Sequence, residues 1–373
     1  MKIGVIVPGG VDRSGEERVI PAFLALIERL ARAHEVHVFV FHQEPTPARW
    51  VLRGAHIHNI GGTSWLRTRS LATILREHRV APFTLLQSLF SGTCGQVAAL
   101  AATVLRIPYA VHIAGGELVA LHDIGYGGRR RLRSRMSEQW VLRRATLVTA
   151  ASAPILASLR GLGIEACRIP LGVDVARWPE QPVRSRMDST LRLIHVASLN
   201  LVKDQATLLR ALTRLAVQGV AFEVQVIGVD TLDGRMQAMA RELGIADHIR
   251  FLGFRTQAAL RPLLAEADLL VMSSRHEAGP LVLLEAAVLG VPAVGTSVGH
   301  FAEWTPDAAL TAPPGDAEGL AAAIAALARD EPRRQRLATE AQRRAITEDA
   351  DATAAAFLRH YTGPAFRPSG KLA

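Results

Sequence analysis

SSRHEAGPLVLLEAAVLGVPAVGT, residues 273–296, carries the fold in miniature. The run DLLVMSS (268–274) leading into it is apolar and short enough for a buried strand. RHEAG then turns the chain, and Pro280 suits the first turn of a helix, where its missing N–H costs nothing. PAVGT (292–296) reads as the next strand. Strand, turn, helix and strand in that order is the repeating unit of a parallel sheet. The stretch also poses a problem. Glu277 and Glu285 stand among apolar neighbours, where burying an unpaired charge costs several kcal/mol.

The same alternation extends in both directions. KIGVIV (2–7), EVHVFVF (35–41), HIHNI (56–60), FTLLQSL (83–89), YAVHIA (109–114), LVTAAS (147–152) and CRIPLG (167–172) read as strands, with helical periodicity at 16–32, 67–79, 94–105 and 129–144. Residues 173–190 contain two prolines and no sustained period, and read as a linker. The pattern then restarts with LRLIHVA (191–197), FEVQVIG (222–228) and IRFLG (249–253), and helices fill 316–328, 331–348 and 350–361. The expected class is α/β, with two tandem Rossmann-like, doubly wound domains. Residues 1–175 form the first and 176–349 the second, and a helix from about 350 to 373 can pack back on the first. Such folds bind ligands at the carboxyl ends of their strands, so a cleft faced by both sheets is expected.

Composition narrows the classes further. The chain has 373 residues, 49% hydrophobic and 21% charged, which is a globular balance with room for two domains. No apolar run reaches the roughly 18 residues of a membrane-spanning helix. The opening MKIGVIVPGG is too short for a signal-peptide core, and only Cys94 and Cys167 are present. A cytoplasmic chain without structural disulfides is expected. The spacings Cys-x-x-Cys and His-Glu-x-x-His are absent. The net charge is +9, yet residues 181–373 hold 21 basic and 21 acidic residues, while residues 1–180 hold 22 and 13. The excess charge therefore lies entirely in the first half and favours an anionic surface or substrate there. Nucleic acid is disfavoured, because aromatics are 5% and no binding motif appears.

Of the 43 basic residues only Lys2, Lys203 and Lys371 are lysine, and Lys203 alone is far from a terminus. A compact ammonium suits a tight contact to one phosphate oxygen, where a guanidinium is too wide. Chance survival on a surface helix is the alternative. In the opening stretch, the free N–H groups of Leu281, Val282 and Leu283 at the helix start make a site for phosphate or sugar oxygens. Glu285 lies one turn further on. A carboxylate accepts two hydrogen bonds, so each glutamate can hold a pair of adjacent hydroxyls. A diphosphate with a hydroxyl-rich ring at each end, a nucleotide-sugar, fits these parts.

These residues resemble the group 1 (family 4) glycosyltransferases, retaining enzymes of GT-B fold whose signature is Glu-x7-Glu, here Glu277 to Glu285. HVASLNLVKDQATLLRAL (195–212) resembles the segment opening the family's second domain, with Lys203 at the phosphate-binding lysine. IPLGVDVARW (169–178), QVIGVD (225–230), IRFLGF (249–254), VGHFAEW (298–304) and PGGVDRSGEERVIPAFLALIERL (8–30) resemble further family segments, so the resemblance spans nearly the whole chain. It implies a hexose moved from a nucleotide-diphosphate sugar to a hydroxyl acceptor, which can be a glycan or lipid-linked. It implies catalytic roles for Glu277, at the donor-sugar hydroxyls, and Lys203, on the diphosphate. Donor contacts are implied for Ser198, Gly228, Gly253, Gly279, Pro280, Leu281 and Val282, with Glu285 on the ribose. The implied mechanism is same-face attack, in which the leaving phosphate helps remove the acceptor proton, with no cofactor and no metal. DAD (349–351) resembles the metal motif of another transferase fold, but lies in a helical segment and reads as a solvated face.

The sequence departs from the family in two places. Ser198 stands where an arginine often precedes the phosphate lysine by five residues. In VHIAGGEL (111–118), Ala114 stands where the family has histidine, and His112 lies two residues earlier. That keeps the face of a strand but moves the imidazole about 6–7 Å along it, so His112 is either a site residue or a core histidine. Gly9, Gly10, His112, Gly115 and Glu117 are the candidates on the acceptor side. Residues 127–145, GGRRRLRSRMSEQWVLRRA, carry seven arginines with Met136 and Trp140 four apart. Through Arg129–Arg144 the protein can lie peripherally on an anionic membrane, unless Met136 and Trp140 face the core. Rival readings are a GT-B nucleotide-sugar epimerase, a non-catalytic sugar-nucleotide binder, and a dehydrogenase. PGGVDRSG (8–15) speaks against the last, because it lacks Gly-x-Gly-x-x-Gly.

Overall fold

The structure, a computed structural model, describes residues 1–62, 65–185 and 189–366. Residues 186–188 of the expected linker, residues 367–373 of the expected C-terminal helix, and with them Lys371, lie outside the described residues. The chain divides into two compact units, Met1–Asp174 with Glu348–Ala373, and Val175–Thr347.

In the first unit the strands are β1 (Lys2–Val7), β2 (Glu35–Val40), β3 (Ala48–Leu52), β4 (Ala55–Asn59), β5 (Leu85–Leu89), β6 (Tyr109–Ile113), β7 (Leu147–Ala150) and β8 (Cys167–Arg168). Among the described residues they form one sheet in the order β3-β4-β2-β1-β5-β6-β7-β8, parallel except for the β3–β4 hairpin at its edge. Helices α1 (Pro21–Ala31), α2 (Leu66–Val80), α3 (Thr93–Leu105), α4 (Leu132–Arg144) and α5 (Ala153–Gly161) make the crossovers. β1 and β5 are buried along their whole length, as strands covered on both faces must be.

The second unit repeats the plan. Its strands are β9 (Leu191–Val196), β10 (Phe222–Ile227), β11 (Ile249–Gly253), β12 (Leu269–Met272), β13 (Ala293–Thr296) and β14 (Leu310–Ala312). They pair in parallel in the order β11-β10-β9-β12-β13-β14. Helices α6 (Gln205–Val217), α7 (Arg235–Glu242), α8 (Gln257–Glu266), α9 (Leu281–Val288), α10 (Gly299–Trp304), α11 (Ala317–Arg329) and α12 (Glu331–Thr347) cover it. One continuous core joins Leu193, Val224, Val271 and Val294 of the sheet to Leu212 of α6 and Leu320 of α11.

The last helix, α13 (Ala350–Tyr361), belongs to the first unit. Gly172 lies so close to Glu348 and Asp349 that a Cβ on it would meet the Glu348 carbonyl oxygen at 2.1 Å. Arg168 grips Glu348 with two hydrogen bonds of 2.6 and 2.8 Å. Buried Arg29 bonds Asp351 and Asp174 at 2.9 and 3.1 Å. DAD is therefore structural: Asp349 caps α13 through the Ala352 N–H, and Asp351 pairs with Arg29.

Three elements differ from the sequence reading. Helix α1 begins at Pro21 rather than near residue 16, because Asp12 and Gln43 hold the preceding loop. Asp12 accepts from the Ser14 N–H and pairs with Arg18, and Gln43 accepts from the N–H groups of Gly10 and Val11. Strand β3 was not anticipated, since it lies half-exposed between a proline pair and a glycine turn. The strand expected at 167–172 stops after two residues, where Pro170 has no N–H for the ladder.

Candidate functional site

In the second unit, the functional candidates gather at the carboxyl ends of the strands. Gly228, just past β10, sits against the end of β9: a Cβ there would meet the Ala197 carbonyl oxygen at 2.0 Å, and its φ is +152°. Only glycine fits. Its N–H donates to the carbonyl of Gly253, itself at φ +68° and open on its side-chain face. Ser198 follows β9 with its side chain exposed and its carbonyl accepting from Gln205 at 3.1 Å.

Gln205 does more than cap this loop. Fully buried His195 donates from Nδ1 to the Val271 carbonyl at 2.8 Å, which leaves Nε2 as an acceptor for the Gln205 amide at 3.1 Å. The Gln205 carbonyl oxygen then accepts from the Asn200 N–H at 3.3 Å. Loop 198–204 is thus tied through a buried amide to β9 and β12. It is also laced to the loop after β12: Ser273 Oγ donates to the Lys203 carbonyl, and the Arg275 N–H to the Val202 carbonyl.

The two loops bring Lys203 onto Glu277. The ammonium donates to Glu277 Oε1 at 2.5 Å, and Ser274 Oγ donates to the same oxygen at 2.6 Å. With Lys203 23% and Glu277 10% exposed, the carboxylate is desolvated and paid for by a cation and a hydroxyl, which answers half of the problem in the opening stretch. Gly279 packs on His300, whose Nε2 would lie 2.7 Å from a Cβ at that position. A Cβ on Gly299, at φ +51°, would meet the Glu277 carbonyl oxygen at 2.9 Å.

Pro280 is the residue preceding the first turn of α9, and no side chain caps the helix. Of the three N–H groups expected to be free, that of Leu283 donates to the Pro280 carbonyl at 3.2 Å. Leu281 and Val282 lead the helix, whose dipole favours an anion at this end. Glu285, one turn in, is 7% exposed and accepts from Gln257 Nε2 at 3.1 Å. Burial pushes its carboxyl up to about 7, against the pull of Gln257. Ser274, Gln205, Gln257 and His300 were not singled out from the sequence. Their spacing to Glu277 and Lys203 carries no signature, and only the fold brings them there.

In the first unit, Gly9 and Gly10 follow β1. Gly10 has φ +88° and no room for a Cβ beside Ile20. Gly115 and Glu117 follow β6, and Gly115 lies against Phe90, which follows β5 and holds a left-handed φ of +81°, a strain that well-supported functional loops store. Glu117 is half-buried, and desolvation pushes its carboxyl up to about 7 despite the backbone N–H groups of Ser91 and Gly115. His112 is placed differently. It lies in the middle of the sheet core, fully buried, with Nδ1 on Thr149 Oγ1 at 2.8 Å and its ring edge against Phe357. Desolvation drives its basicity down to about 3. On α4, Leu132, Met136 and Trp140 are exposed at 71%, 62% and 37%, so Met136 and Trp140 do not fill the core.

Comparison with known proteins follows the same division. Residues 178–344 match the profile described as "Glycosyl transferases group 1", and residues 19–172 match "Glycosyl transferase 4-like domain". Glycogen synthase of Mycobacterium tuberculosis is 31% identical over 220 residues, 57% of this chain and 53% of that protein. The match thus spans about half the length of the curated relative. Sucrose-phosphate synthase from Thermosynechococcus elongatus superposes with a TM-score of 0.80 over 97% of this chain and 98% of its own, at 17% identity. Anabaena Alr3699/HepE, solved in complex with UDP-glucose, gives 0.73 over 96% and 100%, at 18% identity. At such identities the structural likeness establishes the GT-B fold.

Proposed function

Because the chain belongs to the group 1 glycosyltransferases, we propose that it transfers a hexose from a nucleotide-diphosphate sugar to a hydroxyl acceptor with retention at the anomeric carbon. The observation that carries this reading is the Lys203–Glu277–Ser274 cluster beside the start of α9, with Glu285 buried one turn behind it. The Lys203 ammonium and the N-terminus of α9 would face the diphosphate, and Glu285 the ribose hydroxyls. In the step, the bond from the anomeric carbon to the phosphate oxygen breaks and its electron pair stays on the diphosphate. The acceptor oxygen bonds to that carbon on the same face, and its proton passes to the departing phosphate oxygen. Lys203 offsets the charge that develops there. HepE, solved with UDP-glucose, supports this donor class.

The test is thermal stability with UDP, GDP, ADP and dTDP. At a hundredfold excess over Kd, a nucleotide should stabilise the native state by about 2.7 kcal/mol, raising Tm by several degrees. One nucleotide should do so, and the shift should vanish in Glu285→Ala. No shift with any of the four would remove the donor-site reading.

The exposed Leu132, Met136 and Trp140 among the arginines of 129–144 support a second part of the proposal, peripheral binding to an anionic membrane that presents a lipid-linked acceptor. Each arginine near such a surface contributes about 1 kcal/mol. Vesicles containing anionic lipid should pellet the protein in low salt and release it in high salt. Replacing all three apolar residues by serine should weaken binding at least tenfold. Equal binding to neutral vesicles would count against the arginine contribution.

A further inference from the structure

At the opposite end of the first sheet, β2, β4 and α2 converge on a second polar cluster that glycosyl transfer does not use. His37 Nδ1 and His58 Nε2 lie 2.9 Å apart, and one ligating atom each of His37, His58 and Glu77 falls within 4.8 Å of the others. His37, His58 and Glu77 are all buried residues, with the Glu77 side chain 11% exposed. They border a cavity of about 380 Å³, also lined by Lys2, Glu35 and Arg49.

The hydrogen bonds fix where the lone pairs point. Glu35 is a carboxylate and can only accept, so His37 Nε2, 2.9 Å away, carries the proton. The Nδ1 lone pair of neutral His37 therefore faces His58. His58 Nε2 must then donate, which leaves its buried Nδ1 without a partner. This is a poor arrangement for a purely structural pair. It is the arrangement of a metal site: a carboxylate orients the first imidazole from behind, as outer partners of ligating histidines do. A shift of the His58 proton from Nε2 to Nδ1 turns both facing nitrogens into donors of electron pairs, with no net proton released. Tetrahedral zinc, at about 2.0–2.1 Å from each nitrogen, needs them about 3.3 Å apart, a few tenths of an ångström beyond the present separation.

We propose that His37, His58 and Glu77 form a binding site for a divalent transition metal, zinc above all, with a fourth position open to the cavity. Imidazole and carboxylate ligands without thiolate suit Zn²⁺ and its neighbours rather than Mg²⁺ or Ca²⁺. The competitor is Arg49, which donates to Glu77 Oε1 at 2.6 Å. Its side chain is 54% exposed and can swing out to solvent, whereas the Glu77 carboxylate, 11% exposed, needs a cation beside it that a bound metal would replace. Lys2 stays on the Glu77 carbonyl at 3.0 Å and near Glu35 at 3.4 Å. The metal clamps α2 to the edge of the sheet and lies apart from the strand ends that carry Glu117 and Gly10.

The experiment uses untagged full-length protein freed of metal with a chelator and titrated with Co²⁺ and Zn²⁺. One equivalent of Co²⁺ should bind with the visible absorption of a four- or five-coordinate site, and one equivalent of Zn²⁺ should displace it. His58→Gln and Glu77→Gln should weaken binding at least a hundredfold, and Glu35→Gln tenfold to a hundredfold. Arg49→Ala, an exposed change that leaves the fold intact, should tighten binding, since the guanidinium no longer competes for Glu77. Overturning results are the absence of a stoichiometric site in wild type, binding unchanged in the folded His58→Gln and Glu77→Gln variants, or no tightening in Arg49→Ala.

Discussion

Lys203→Ala should lower kcat by about a hundredfold to a thousandfold, the loss produced by removing one preorganised group that meets developing charge. In the proposed reaction the leaving diphosphate gains charge as the sugar bond breaks, and the ammonium is the cation that the structure places on the Glu277 carboxylate at the mouth of α9. Ser198 stands exposed where a second cation would be convenient, which concentrates the burden on Lys203. Lys203→Arg should not restore the rate, because a planar fork cannot occupy the space of one ammonium on the Glu277 oxygen that Ser274 also bonds. Glu277→Gln should also lose rate, by releasing Lys203 from its orientation. Steady-state kinetics should put the loss in kcat more than in KM, since the charge exists only as the bond breaks. If Lys203→Ala, shown to be folded by its melting profile, kept its rate within threefold, the ammonium would not be at the leaving group.

The fold was legible because most strands are short, mainly apolar and buried runs spaced by helices. β1, β5 and β12 are of this kind, and no other packing satisfies so many doubly buried strands. Strand β3 was not legible for the complementary reason. It is an edge strand whose side chains are half-exposed, and its place is set by pairing with β4 rather than by burial. The start of α1 was misplaced because residues 12–18 have helix-compatible charges, while the loop is held by Gln43, 31 residues from Asp12.

The candidate site divides along the same line. Glu277 and Glu285 announce themselves by spacing within one strand–turn–helix unit, and Lys203 by its rarity. Their partners are long-range. Lys203 reaches Glu277 across 74 residues, and Gln257 reaches Glu285 across 28. Parity along a strand gives the face of His112 but not its depth, and depth places it between Thr149 and Phe357. His37, His58 and Glu77 come from two strands and a helix, so no local spacing betrays them.

Glu285→Gln should be nearly as stable as wild type at pH 4 and more stable at pH 7.5, by up to about 3 kcal/mol. The native carboxyl titrates at about 7, raised by burial, whereas in the unfolded chain it titrates near 4.3. Between those values the native state holds a proton that the unfolded state has lost. Stability from this group is therefore complete below about pH 4.3 and drains away as pH rises through 7. Buried His58, His112 and His195, whose basicity is depressed, act in the opposite sense, but they are common to both proteins and cancel in the difference. Urea melts of the two proteins at the two pH values measure it. A difference that does not change with pH would mean that Glu285 is not held neutral by its surroundings. The native state tolerates this cost if a ligand later supplies what burial removed. Two ribose hydroxyls donating to the ionised carboxylate would lower its pKa again, so nucleotide binding should release a proton below pH 7 and tighten as the pH rises towards 7.5. Glu285→Gln should lose that pH dependence together with most of the affinity. An affinity indifferent to pH in wild type would separate the glutamate from the nucleotide.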